Sequence, residues 1–332
     1  EEVIRESPLP GAILTRVASS HIRVGTFQYV AARQREDELK ILLDYVINRH
    51  YPELRNSKNK AVELLSAVLD KQVDLVINWM RVGFVHGVMN TDNMSIHGIT
   101  IDYGPYGWLE GYDPNWTPNT TDKARKRYRF GHQSQIGAWN FARLLESISP
   151  LMQDHEKLYG ALDFYYESYQ QYNNQMWSDK LGLDEFKVGD EDLFSELTSI
   201  LQSVETDMTI FFRLLSSIKV PNIEYLEYAF YSVDSIPKNE WNNWLNKWWD
   251  RVNGKPDQVK MKLVNPKYVL RNWMAQLAID AAEKDDYSIA IELYELLKNP
   301  YDEQPQYENK WFKKRPEWAR NRVGCSMLSC SS

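Results

Sequence analysis

The sequence predicts a predominantly α-helical α+β fold, and three observations carry that expectation. Long stretches repeat apolar residues every three to four positions, the period of an amphipathic helix. Extended, β-branched pieces are few and short. At 332 residues, 43% hydrophobic and 13% aromatic, the chain can bury a large core as one large domain or two unequal ones.

In chain order, "PGAILTRVA" places β-branched and apolar residues after a Pro-Gly punctuation, which predicts a short strand at 12–17. "EDELKILLDYVINRHY" has apolar side chains at 39, 41, 42, 45, 46 and 47. "AVELLSAVLDKQVDLVINWMRVGF" has them at 62, 64, 65, 68, 69, 73, 75, 76, 79 and 80, so both segments read as amphipathic helices. The second delivers the chain to His86. "MSIHG" and "ITIDYG" then read as a small hairpin, and beyond Pro118 the polar, basic "TTDKARKRYRFGHQ" reads as a long surface loop. Further helices fall in "QSQIGAWNFARLLESISPLM", "DHEKLYGALDFYYESYQQYNNQMWSDKLG", "EDLFSELTSILQSV", "TDMTIFFRLLSSI" and "YVLRNWMAQLAIDAAEKDDYSIAIELYELLKN". The Trp-rich "NEWNNWLNKWWDRVN" has helical spacing and reads as core packing rather than a ligand cage.

A formal charge of −7 argues against a general nucleic-acid or membrane surface, because phosphate-rich partners are met with a basic excess. No run has the apolar length of a membrane span, and no signal peptide opens the chain. "EEVIRESPLPGAILTRVA" lacks an initiator Met and reads as the middle of a domain, so a targeting signal is not observable in this chain. Two cysteines, Cys325 and Cys330, lie in the tail "VGCSMLSCSS". They read either as plain thiols or as a redox pair that closes on itself or reaches another chain.

The chemistry concentrates in "FVHGVMNTDNMSIHGITIDYGPYG", residues 84–107, where Asn90, Asp92, Asn93 and Asp102 stand close together. Carboxylates and amides are oxygen donors suited to a hard cation such as Mg²⁺ and the phosphates it carries; polar turn chemistry is the rival reading. Gly104, Gly107 and Gly111 follow the Asp instead of joining a strand to a helix, so they read as turn glycines and not as a phosphate loop. A helix ending in a His-Gly loop, an Asn five residues after Val88, then a hairpin and Asp-Tyr-Gly at 102–104 resembles the catalytic centre of the protein-kinase-like fold. The proton-accepting Asp of a kinase would fall at Val88, which cannot take a proton.

"HGVMNTDNMSIHGITIDYGPYGWLEGYDP", "LTRVASSHIRVGTFQY", "RYRFGHQSQIGAWNFARL", "NPKYVLRNWMAQLAI", "NPYDE" and the final "CSS" together resemble the selenoprotein O family, also called YdiU, along nearly the whole chain. The resemblance implies a kinase-like fold that binds ATP in an orientation reversed from that of kinases and transfers AMP to Ser, Thr or Tyr hydroxyls of proteins. By motif, Asp92 matches the family's proton acceptor, Asn93 and Asp102 its metal ligands for Mg²⁺, with Mn²⁺ as the alternative, and Arg16 and Arg23 its phosphate-contacting arginines. His86 is expected to brace the loop, with His97 and His132 as bystanders. Residues 1–25 would be the end of the N-terminal lobe, 26–320 a helical kinase-like C-terminal lobe with catalytic loop 84–93, and 321–332 a cysteine-containing tail. The family's glycine-rich loop, phosphate-binding Lys and partner Glu cannot be placed in this chain. Many animal members carry selenocysteine where Cys330 stands. Some bacterial members link a C-terminal Cys to one near the metal-binding Asp, but residues 102–130 contain no Cys. A bacterial cytoplasm or a mitochondrion is the implied setting. A kinase using the same metal site, and a non-catalytic pseudokinase scaffold, are the alternatives.

Overall fold

The computed structural model describes residues 2–4, 8–152, 160–322, 324–325 and 328. Helices dominate, as the apolar periodicity requires. The first two are α1 (Val24–Ala31) and α2 (Glu36–His50). The longest, α3 (Lys60–Val82), buries Leu64, Leu65, Val68, Leu69, Val73, Val76 and Trp79 along one stripe. It stops where Gly83 takes a left-handed φ of 73°, the conformation that closes a helix with least strain in glycine. Helices α4 (Gln133–Ile148) and α5 (Ala161–Lys180) pack on α3, and α1 lies across α4. The main core gathers around these contacts.

Beyond them run α6 (Asp190–Ser203), α7 (Met208–Leu215), α8 (Lys238–Arg251) and α9 (Gln258–Val264). Asp190, Glu191 and Asp192 sit in the first turn of α6, where acidic side chains complement the helix dipole. The Trp-rich segment is core, as its spacing predicts. Trp241, Trp244 and Trp248 are buried on one face of α8, and the last two indoles donate to the carbonyls of Leu193 (2.9 Å) and Leu181 (2.8 Å). A second hydrophobic cluster forms around Tyr268, Trp273, Leu293, Leu296 and Trp311, from α10 (Asn272–Ala282), α11 (Ser288–Leu297) and α12 (Pro305–Trp311). The single helix expected over 268–299 is in fact the α10–α11 pair. It breaks at the charged turn after Ala282, where Asp285 takes φ 60° and the Asp286 carboxylate accepts from the Ser288 N–H.

Sheet structure is minimal: β1 (Glu2–Ile4) pairs antiparallel with β2 (Pro8–Pro10), and β3 (Phe84–Val85) with β4 (Gly107–Trp108). The strand expected at 12–17 does not form. Ile13, Leu14 and Val17 are 99, 87 and 93% exposed, and among the described residues no strand pairs with this stretch. Strand propensity is realised only against a neighbouring strand. The expected hairpin shrinks to a single bridge, Met94 to Thr100. Gly107 and Gly111 are not turn glycines: the first lies in β4 and the second bridges Asp207. The 120–133 stretch is less open than expected, since short 3₁₀ turns at Thr120–Asp122 and Phe130–His132 bury Asp122 and Phe130. The expected helix over 154–182 starts, within the described residues, at Ala161, after Gly160 takes a left-handed φ of 91°; residues 153–159 lie outside them.

Candidate active site

The loop after α3 is built by side-chain amides that reach into it from elsewhere in the chain. Gln133 accepts from the His86 N–H (3.0 Å) and donates to the Phe84 carbonyl (2.9 Å). Asn140, two turns further along α4, donates to the Met89 carbonyl (2.9 Å), and Asn119 to that of Gly87 (3.1 Å). His86 is buried and braces the loop from within. Its Nδ1 accepts from the Val88 N–H (3.3 Å), which leaves Nε2–H to donate to the Ile101 carbonyl (2.9 Å). Burial lowers its pKa, so the ring is neutral and this tautomer persists. His97 packs against His50 and Tyr51, and His132 against Arg129.

Asn93 turns its Nδ2 onto the Val88 carbonyl (2.9 Å), which leaves its Oδ1 free to ligate. Asp102 stands at φ 57°, a left-handed conformation that costs a non-glycine residue about 1 kcal/mol. Two guanidiniums hold its carboxylate there. Arg16 Nη2 lies 2.6 Å from Oδ1, Arg23 Nε 2.8 Å from Oδ2, and Arg23 Nη2 3.3 Å from Oδ1. Partial burial pushes this carboxyl up, but the hydrogen bonds and charges of Arg23 and Arg16 outweigh that and hold it below its usual value.

Arg23 is placed by backbone pairing: the Val24 N–H donates to the Met94 carbonyl (3.0 Å), and Arg23 bridges Ser95. The same pairing sets the first turn of α1 against Asp92. A β-carbon on Gly25 would come within 2.1 Å of Asp92 Oδ1, so only glycine permits the approach. Asp92 itself is exposed. The structure thus brings Arg16, Arg23 and Asp102 into direct contact and places Asn93 and Asp92 on the adjoining loop.

The donors are oxygens, as a hard cation requires, and among the described residues no three His, Cys, Asp or Glu side chains form a cage. A carboxylate and an amide oxygen are donor types that Mg²⁺ takes from a protein, its shell being completed by water and phosphates. Asp102 already accepts three hydrogen bonds from arginine, so a cation there competes with guanidinium for its lone pairs.

Of the two redox candidates, Cys325 packs in the second hydrophobic cluster. Cys325 is a free, buried thiol whose pKa is raised by burial, and Cys330 lies outside the described residues. Sequence reasoning missed Gly25, Asn119, Gln133 and Asn140. A usable signal existed for two of them: Gln133 and Asn140 are polar residues seven apart on the apolar stripe of α4.

Residues 1–298 match the family model described as protein adenylyltransferase SelO. The chain is 51% identical over 336 residues to the protein nucleotidyltransferase YdiU of Flavobacterium johnsoniae, 47% over 335 to that of Aromatoleum aromaticum, and 44% over 352 to that of Rhodopirellula baltica. These alignments cover 97% of this chain and 64 to 65% of each relative, so the chain spans just under two thirds of their length.

Proposed function

The chain belongs to the SelO family of protein adenylyltransferases, and we propose that the full-length protein transfers AMP from ATP to Ser, Thr or Tyr hydroxyls of protein substrates with Mg²⁺. The observation that carries this reading is the paired grip of Arg16 and Arg23 on Asp102, beside a loop that has Val88 where a kinase has its proton acceptor. Two converging guanidiniums form an anion cradle, and the carboxylate between them holds the place until phosphates arrive. With ATP bound, Arg16 and Arg23 would give their hydrogen bonds to its phosphates, and the residues that would hold the cation are Asp102 and Asn93. Bound there, Mg²⁺ (or Mn²⁺) would neutralise phosphate charge as it builds up in the reaction.

The substrate hydroxyl oxygen then attacks the α-phosphorus, the bond from that phosphorus to the bridging oxygen breaks, and pyrophosphate leaves with the electron pair. Asp92, exposed on the loop and free of any cation partner among the described residues, takes the hydroxyl proton. The order of α3, braced loop, short strand pair and Asp-Tyr-Gly supports a kinase-like C-terminal lobe for this machinery. No helix among the described residues is long and apolar enough to cross a membrane, and the relatives named above are bacterial. A bacterial cytoplasmic setting fits both. Intact-mass and peptide mass spectrometry of full-length protein incubated with Mg²⁺ and ATP tests the reading: an adenylyl adduct on Ser, Thr or Tyr supports it, and a phosphoryl adduct would replace it with a kinase.

A further inference from the structure

The excursion from Thr117 to Arg129 carries Lys123, Arg125, Lys126, Arg127 and Arg129 and a single acid, Asp122, in a chain of net charge −7. Among the described residues none of these five cations pairs with a carboxylate. The lone acid is turned inward: Asp122 is buried, and its oxygens accept from the backbone N–H groups of Arg127 (2.9 Å) and Tyr128 (2.7 Å). The loop is therefore a fixed shape. Its base is closed where the Phe130 N–H donates to the Trp116 carbonyl (3.0 Å) and the Gly131 N–H to that of Pro114 (2.8 Å). Arg127 lies over the Trp139 ring at 4.8 Å, and Arg129 is turned onto His132. Lys123, Arg125 and Lys126 remain exposed, and among the described residues no carboxylate pairs with them. Asn119, at the root of the same excursion, donates to the Gly87 carbonyl of the catalytic loop.

We propose that this cationic loop is the docking platform for an acidic segment of the protein substrate, and that it selects hydroxyls flanked by Asp or Glu. The proposal rests on the reading of the chain as a protein-modifying transferase. Exposed, preorganised cations beside a catalytic loop favour partners of opposite charge and speed their encounter. A nucleic acid fits less well: it would need several phosphate contacts, and the surrounding net negative charge repels it.

The test is fluorescence anisotropy on the full-length protein with two labelled Ser peptides that differ only in having Glu or Gln around the serine. Three exposed charge pairs of ordinary strength predict about tenfold tighter binding of the Glu peptide. That preference shrinks as salt is raised. The triple variant Lys123→Glu, Arg125→Glu, Lys126→Glu removes the preference, and the milder Lys123→Gln, Arg125→Gln, Lys126→Gln does the same should charge reversal disturb folding. Equal affinity for the two peptides, or a preference that survives both variants, overturns the proposal. So does a single-stranded oligonucleotide that displaces the Glu peptide and binds more tightly at the same loop. Because binding is read without turnover, adenylyl transfer with no Glu preference counts against the docking platform alone. A Glu preference without transfer counts against the reaction and leaves the platform standing.

Discussion

A methyl group at position 25 would occupy the space now held by the Asp92 carboxylate, which makes Gly25→Ala a probe of that carboxylate's placement without removing it. A displacement of about 1 Å at a reacting group can cost a hundredfold in rate, so Gly25→Ala is expected to lower adenylyl transfer by about that factor while ATP affinity changes little. Wild-type turnover in this variant would show that Asp92 does not need its present position. Asp102→Ala removes the anchor of the two arginines and, on the proposed function, an anionic oxygen for the cation. Loss of activity of roughly a hundredfold or more is expected, by analogy with other lost electrostatic contacts at reacting phosphates or oxyanions. Its melting temperature should stay near wild type, since the carboxylate is partly exposed and its removal opens no core cavity. At this scale motif order and spacing single out Asn93 and Asp102 as candidates. The sequence was silent on Gly25, whose importance comes from a neighbour 67 positions away in the chain.

Between elements, one buried ion cluster ties α7 and α10 to the segment after β4. Arg271 donates Nη1 to Asp207 Oδ2 (2.6 Å) and Nη2 to Oδ1 (2.8 Å), and it also pairs with Glu110. Burial raises the Glu110 carboxyl against the pull of Arg271. Asp207 also caps α7 by accepting from the Ile210 N–H (3.0 Å). Asp207→Asn keeps a capping oxygen but removes the charge opposite Arg271. It should destabilise the protein by about 3 kcal/mol, the low end for breaking a buried pair, because Glu110 still faces the cation. Urea denaturation measures this; a change under 1 kcal/mol would mean the cluster contributes little net. The amphipathic helices were readable because burial imposes a 3.6 period on their residues. Helix α1 was not, since "VGTFQYVA" mixes β-branched, aromatic and glycine residues, and its buried Val24, Gly25 and Phe27 are too few to show a period. The strand expected at 12–17 failed for the complementary reason: its side chains suit a sheet, but among the described residues no strand pairs with it.

Across the whole molecule, a large core around α3 and a smaller cluster around α10 to α12 form a mostly helical body. The candidate site sits where Arg16 and Arg23 meet the loop after α3, so its guanidiniums come from one stretch of the chain and its carboxylate and amide oxygens from another. That division explains why the cluster could be named by motif from the sequence but not assembled from periodicity or charge. The central claim is that this assembly moves the α-phosphate and not the γ-phosphate of ATP. The most direct measurement supplies full-length protein with Mg²⁺ and ATP labelled at either position and follows label into protein. Transfer of the α label alone is expected, abolished by Asp92→Ala while ATP binding persists. Transfer of the γ label without the α label would contradict it.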